Sequence, residues 1–187
     1  MIRHILTSLR SLLAFSVILG LLYPLVIFGV GRFMPNQADG SLLRVNGQVV
    51  GSSLLGQDFQ GDQWFHARPS ASNYSGENSG GTNWGPTEPE ALTQWNKRAQ
   101  ELEAENPRWE GLLPPDALTA SASGLDPHIS PEYAQLQARR VAESRGMNLA
   151  EVEKLIAEHT QGRFLGISQP RVNVTTLNAA LATIEQH

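Results

Sequence analysis

Asp126, Pro127 and His128 form the chain's one concentration of groups suited to acid–base chemistry, with Ser121, Ser123 and Ser130 nearby. A carboxylate can orient an imidazole, and an imidazole so held can take a proton from a serine hydroxyl. Ser123, Asp126 and His128 therefore admit a hydrolase reading. His66 with Asp126 and His128 would instead make a metal ligand set. The same residues also suit plain architecture. Asp126 accepts from nearby amides, Pro127 fixes the backbone angle, His128 donates to a carbonyl, and Ser123 and Ser130 cap local turns. Ser123, Asp126, Pro127, His128 and Ser130 are accordingly read as an architectural turn, with no catalytic residue and no metal ligand expected.

The rest of the chain adds no catalytic signature. It contains no Gly-x-Ser-x-Gly elbow, no His-Glu-x-x-His, and neither glycine-rich phosphate nor dinucleotide fingerprint. Its two lysines, Lys97 and Lys154, lie in helical sequence. The absence of cysteine excludes disulfides, thiol chemistry and thiolate-bound metals. Asn73-Tyr74-Ser75 and Asn173-Val174-Thr175 fit the glycosylation triplet, a pattern common by chance.

The elements that must position these residues begin with a membrane segment. Residues 11–31 are uncharged throughout, and at about 1.5 Å per residue they reach about 31 Å, the thickness of a bilayer's hydrocarbon core. Arg3 and Arg10 precede the run, and no acidic residue occurs before Asp39. Positive-inside bias then makes residues 1–10 a short cytoplasmic N-terminus and residues 32–187 an outer, periplasmic domain. The run is long for a cleaved signal, and no Ala-x-Ala triplet follows it before the outer domain begins, so a retained anchor is expected. Pro24 has no amide hydrogen for the carbonyl of Gly20 and should bend the helix. Gly20, Tyr23 and Pro24 together suggest packing against partner helices.

The outer segment carries all 18 acidic and 12 of the 14 basic residues, a net charge of −6. That balance argues against a nucleic-acid partner. Asn46-Gly47 joins two short apolar runs, 41–45 and 49–55, as a hairpin. Residues 60–87 have no strand or helix periodicity and are rich in Gly and Ser. They also carry Trp64, Phe65, Tyr74 and Trp84, side chains that favour an ordered, functional loop. Trp64, Phe65, His66, Arg68, Tyr74, Asn83 and Trp84 are the candidate partner interface.

Helices are expected over 88–105, capped by Thr87 with Leu92, Trp95, Ala99 and Leu102 inward, and from Ser130 to Gly146. A third follows an Asn148/Glu151 capping pair and closes at Gly162. Strands are expected over 163–167 and 171–174, with a last helix over 177–184. The class is α+β (mixed α/β) with few strands.

These residues resemble the C subunit of the Kdp high-affinity potassium-transporting P-type ATPase of bacteria and archaea. The likeness runs from Tyr23 to nearly the C-terminus. It is carried by Tyr23-Pro24-Leu25, residues 37–42 (QADGSL), residues 51–57 (GSSLLGQ), residues 65–71 (FHARPSA), residues 79–87 (SGGTNWGPT), residues 121–130 (SASGLDPHIS), Arg140-Val141-Ala142 and Arg171-Val172-Asn173-Val174. Ala122 stands where the family usually has glycine, Trp84 where it has leucine, and Thr175-Thr176 where it has a more apolar pair.

The resemblance implies a non-transporting accessory subunit of the inner membrane. Its partners would be a channel-like potassium-binding subunit and a P-type ATPase subunit. ATP, Mg and K+ would be used by those partners, with no cofactor bound here directly. It also implies a chaperone-like role in raising the pump's affinity for ATP. The residues lend that role no phosphate loop, and only about ten of them lie on the ATP side under the positive-inside reading. A membrane-anchored periplasmic hydrolase and a soluble-ligand binding module are the competing readings.

Overall fold

The computed structural model describes residues 1–163 and 166–184. It divides into two compact units, one over Met1–Ser41 and one from Leu42 onward.

The first unit is helical: α1 (Ile2–Val17), a π-helical turn (Ile18–Leu22), α2 (Tyr23–Gly31) and the short α3 (Pro35–Ala38). From Ile2 to Gly31 the chain is one 30-residue apolar helix, long enough to cross a membrane. Residues 1–28 are all exposed. An aliphatic surface with no buried face is what hydrocarbon solvates well and water poorly. The π-helical turn has a local cause. Pro24 cannot donate to Gly20, and one residue earlier the amide of Tyr23 reaches back five positions to Ile18. Beyond the span, Arg32 lies 3.8 Å from Asp39.

The second unit opens with the hairpin β1 (Leu42–Val45) and β2 (Gln48–Ser52), antiparallel around Asn46-Gly47. Both turn residues have positive φ, 53° and 79°, the conformation that selects Asn-Gly in two-residue hairpin loops. An irregularity between Leu43 and Arg44 shifts the register. There follow a long stretch without helix or strand, α4 (Pro89–Glu105), α5 (Pro115–Leu118), β3 (His128–Ile129), α6 (Pro131–Arg145), α7 (Leu149–Glu158), β4 (Thr160–Gln161), β5 (Arg171–Asn173) and α8 (Val174–Ile184). The three short strands form an antiparallel sheet in the order β3-β5-β4. In it Ile129 and Thr160 flank Val172 on its two sides.

The core gathers Tyr133, Val141 and Ala142 of α6, Val152 and Ile156 of α7, Val172 of β5, and Val174, Leu177 and Leu181 of α8. Helix α6 starts and stops as its sequence dictates. Ser130 Oγ accepts from the amide of Tyr133, and Gly146 closes the helix at φ 63°. Asn148 caps α7 through the amide of Ala150.

Four expectations need correction. On α4 the buried positions are Ala91 and Leu102, and Trp95 and Ala99 are half-buried, while Leu92 is exposed; of the expected inward stripe only Leu92 faces out. The cap of α4 is Glu88, with no side-chain bond, rather than Thr87. Helix α7 ends at Glu158, before Gly162, because Thr160 and Gln161 pair with β5. The expected strand at 163–167 is thereby displaced to Thr160–Gln161, and Phe164 and Leu165 lie outside the described residues.

Candidate functional site

Residues 61–87 contain no helix or strand, so their backbone polar groups need partners from elsewhere. Side-chain amides of two helices supply them. The amide of His66 donates to Gln137 Oε1 at 2.7 Å, and Gln137 Nε2 returns a bond to the carbonyl of His66 at 3.1 Å. One residue earlier, the amide of Phe65 donates to Asn178 Oδ1 at 3.0 Å, and Asn178 Nδ2 donates to the carbonyl of Phe65 at 2.9 Å. Each carboxamide imitates a neighbouring strand, one on α6 and one on α8. Gln137 and Asn178 are essentially excluded from solvent.

Arg140 extends the hold. Its Nη1 donates to the carbonyls of Asp62 at 2.9 Å and Trp64 at 3.1 Å, and its Nη2 to Gln137 Oε1 at 2.8 Å. Burial lowers the affinity of this guanidinium for its proton, and the charges of Glu105 and Asp62 oppose the shift. Arg145 donates to the carbonyl of Gln63 at 2.6 Å and lies 4.3 Å above the Trp64 ring.

This accounts for most of the residues expected at a partner surface. Phe65 is fully buried in this chain's own core, so it has no face to offer a partner. Trp64 is half-buried between Phe59 and Arg145. The hydroxyl of Tyr74 donates to the carbonyl of Arg68 at 2.5 Å, and burial, helped by the charge of Asp58, pushes that phenol up to about 12. His66 Nε2 lies 3.1 Å from the carbonyl of Gly61, and its Nδ1 lies 3.6 Å from Glu105 Oε2. Arg68 lies 3.8 Å from Asp126. Asn83 is exposed with φ 55°, and Trp84 is half-buried.

The 121–130 segment is woven into the same loop. Ser123 Oγ accepts from the amide of Leu125, while its carbonyl accepts from the amide of Gly80 and the hydroxyl of Ser79. Asp126 Oδ1 accepts from the amide of His128 at 3.0 Å and meets His128 Nδ1 at 3.1 Å. Burial works against the charged form of Asp126. The hydrogen bonds from His128 and the positive charges of His128 and Arg68 outweigh it, and the carboxyl sits below its ordinary range. The carbonyl of Pro127 accepts from Val174, and Ser130 bonds to both carboxylate oxygens of Asp116, through its amide at 2.7 Å and its hydroxyl at 2.9 Å.

Among the described residues no recorded hydrogen bond joins a serine hydroxyl to His128, and no group of three His, Asp or Glu side chains is arranged to hold a metal ion. A cavity of about 660 Å³ lies at the end of α4 against α6, lined by Glu105, Trp109, Leu136 and Arg139 among others. None of Ser123, Asp126 and His128 lines it.

Sequence reasoning missed the residues that do the holding: Gln137, Arg140, Asn178, Asn173, Thr175 and Asp116. For Gln137 and Asn178 the signal was a polar side chain on an apolar stripe. Gln137 lies between Tyr133 and Val141 at helical spacing, and Asn178 between Leu177 and Leu181. Thr175 also acquires a role here. Thr175 Oγ1 donates to the carbonyl of Leu55 at 2.8 Å, a bond an apolar residue could not make.

In the membrane helix, Gly20 falls inside the π-helical turn with nothing within 4 Å of where a Cβ would stand. Tyr23 is exposed beside it.

Comparison with known proteins finds a match over nearly the whole chain. The profile of the KdpC family, described as the K+-transporting ATPase c chain, matches residues 5–183. The potassium-transporting ATPase KdpC subunit of Beijerinckia indica subsp. indica is 48% identical over 185 residues, covering 97% of this chain and 94% of the relative. That of Kineococcus radiotolerans is 47% identical over 184 residues, with the same coverage. That of Bradyrhizobium diazoefficiens is 44% identical over 197 residues, covering 97% of both chains. A single apolar span, an outer mixed α/β domain and side chains committed to holding backbone all go with that match: the chain belongs to the KdpC family, as a single-pass, non-catalytic accessory subunit of the potassium-transporting ATPase with its N-terminus in the cytoplasm.

Proposed function

We propose that this chain holds together a complex of a channel-like potassium-binding subunit and a P-type ATPase subunit, contributing surface rather than chemistry. The observation that carries the reading is the commitment of its polar side chains. Gln137, Arg140, Asn178, Ser123 and Asp126, the groups that could bind or react, are bonded to this chain's own backbone. A rigid outer domain on one membrane helix suits a scaffold. ATP, Mg and K+ are then handled by the partners.

Residues 11–31 form the part of the helix inside the hydrocarbon. The full 30-residue helix would extend about 45 Å against a core of about 30 Å. Residues 1–10, with Arg3 and Arg10, therefore stay at the cytoplasmic surface, and residues 32–187 make up the outer domain. Gly20, Tyr23 and Pro24 offer partner helices a place of close approach. Of the loop residues, Asn83 and Trp84 keep surface for a partner. The test is purification from the membrane in mild detergent. The chain should bring down two larger membrane proteins, and its deletion should abolish growth in micromolar potassium. Recovery of the chain alone from cells expressing all subunits would overturn the reading.

A further inference from the structure

The cavity of about 660 Å³ between the end of α4 and α6 has the volume of a small-molecule site. Two of the residues lining it carry buried polar atoms with no hydrogen-bond partner among the described residues, Asn106 at Oδ1 and Arg140 at Nε. Those residues are only 7% and 9% exposed. Their other polar atoms are taken. Asn106 Nδ2 donates to the carbonyl of Leu102 at 3.0 Å, and the Nη atoms of Arg140 hold the loop and Gln137. One acceptor and one donor are left over. Burial without a partner is costly for each, and a ligand that meets both recovers that cost.

The rest of the lining adds apolar surface and charge. Trp109 is half-buried and Leu136 buried. Arg139 and Glu153 are exposed, and neither enters an ion pair among the described residues. The cavity thus offers one uncommitted charge of each sign.

This combination discriminates among ligands. A metal cation could meet Asn106 Oδ1 but would stand against the guanidinium of Arg140. A phosphate could meet Arg140 but would bring negative charge to the oxygen of Asn106. A peptide group satisfies both, since its N–H donates and its C=O accepts. The domain already applies this chemistry to itself: Arg140 Nη1 donates to the carbonyls of Asp62 and Trp64, and Gln137 brackets His66 through both of its polar groups. Free peptide ends would complement Glu153 and Arg139, and an apolar side chain would pack on Trp109 and Leu136.

We propose that this cavity binds a free short peptide of about two or three residues. A backbone amide meets Asn106 Oδ1 and a backbone carbonyl meets Arg140 Nε, with the ammonium end toward Glu153 and the carboxylate end toward Arg139. The accessory role does not require such a ligand, and the site does not depend on that role.

The experiment is calorimetric titration with the dipeptide alanyl-leucine. It is made on the full-length chain in detergent, and again on that chain recovered with the other subunits of the ATPase. N-acetyl-alanyl-leucine amide, which keeps the peptide group but has no charged end, is the comparison ligand. The expected result is saturable binding with a Kd below about 1 mM and weaker binding of the capped dipeptide. R139Q and E153Q, both at exposed positions, should each weaken binding about threefold or more. S144W, which sets an indole on the lining and leaves Asn106 and Arg140 in place, should abolish it. Absence of saturable binding would overturn the site, as would equal binding of the capped dipeptide. So would affinity unchanged in R139Q and E153Q, whatever S144W does to folding. Binding by the chain alone that disappears in the complex would assign the cavity to a neighbouring subunit and overturn the free-peptide site.

Discussion

In the hairpin over residues 42–55 the strands satisfy each other's backbone and most of the aliphatic side chains are left exposed. In residues 61–87 the backbone has no ladder, and Trp64, Phe65 and Tyr74 are drawn into the core or against it. The difference follows from where the hydrogen bonds come from. A strand pair closes its own polar groups and is free to present apolar surface. An irregular segment must borrow donors and acceptors, and Gln137, Asn178 and Arg140 supply them only where the loop lies deep against α6 and α8. Phe65, which looks like a partner anchor in the sequence, is therefore a residue this domain consumes for itself, with Trp64 and Tyr74 packed beside it.

The comparison is broken most severely by removing a carboxamide. Gln137→Ala would leave the amide and carbonyl of His66 buried without their partner and deprive Arg140 of one acceptor. At about 1–3 kcal/mol for each buried group left unsatisfied, the expected loss is about 3 kcal/mol or more. Asn178→Ala should behave alike at Phe65. Thermal unfolding of the full chain in detergent measures both. V50A in the hairpin should stay within about 0.5 kcal/mol of the parent, since its side chain is exposed rather than in the core.

A smaller effect is expected where the two regions meet. A Cβ on Gly56 would stand 2.9 Å from the carbonyl oxygen of Asp126 and 3.3 Å from the Tyr74 ring. The first of these is backbone held in the 121–130 turn and cannot move aside cheaply. Gly56→Ala should cost about 1–3 kcal/mol, while Thr175→Val, which removes only the bond to Leu55, should cost about 1 kcal/mol. If both variants unfold like the parent, the hairpin is not anchored to the loop as its hydrogen bonds indicate.

How far the sequence reaches is visible in the same two regions. Asn46-Gly47, Ser130-Pro131, Gly146 and Asn148 announce their elements because turns and caps depend on local backbone angles and nearby amides. So does the apolar run that forms the membrane helix. The π-helical turn at Ile18–Leu22 follows from Pro24, although only a bend could be read in advance. What was not legible depends on contacts between distant residues. Leu92 is exposed because α4 turns Ala91 and Leu102 inward. Thr160–Gln161 becomes strand because β5 offers it a free edge. Phe65 reads as a surface anchor until Asn178, far along the chain, is placed beside it. In the 121–130 segment the residue types were plain, whereas Asp116, which holds both polar groups of Ser130, gave no local sign of doing so.

The finest distinction between the regions concerns pH. The loop is tied to α4 through His66 and Glu105, whereas residues 42–55 contain no acidic group and no histidine. The Glu105 carboxyl is held below its ordinary range, first by the His66 ring 3.6 Å away. Burial opposes the shift, and the charges of His66 and Arg140 add to it. A carboxylate whose folded value is depressed contributes stability that is fully present above its unfolded value, about 4.3. That contribution is lost as pH falls through the folded value. His66 Nε2 faces the carbonyl of Gly61, which can only accept, so Nδ1 carries a proton toward Glu105 only when the ring is charged. His66→Gln should therefore lower the melting temperature by a few degrees near pH 5, and the gap to the parent should close as pH is taken toward about 2. Glu105 is partly exposed, so solvent screening keeps the effect small. A His66→Gln deficit that stays constant over this range would place the role of His66 in packing, and would leave the loop as insensitive to acid as the hairpin.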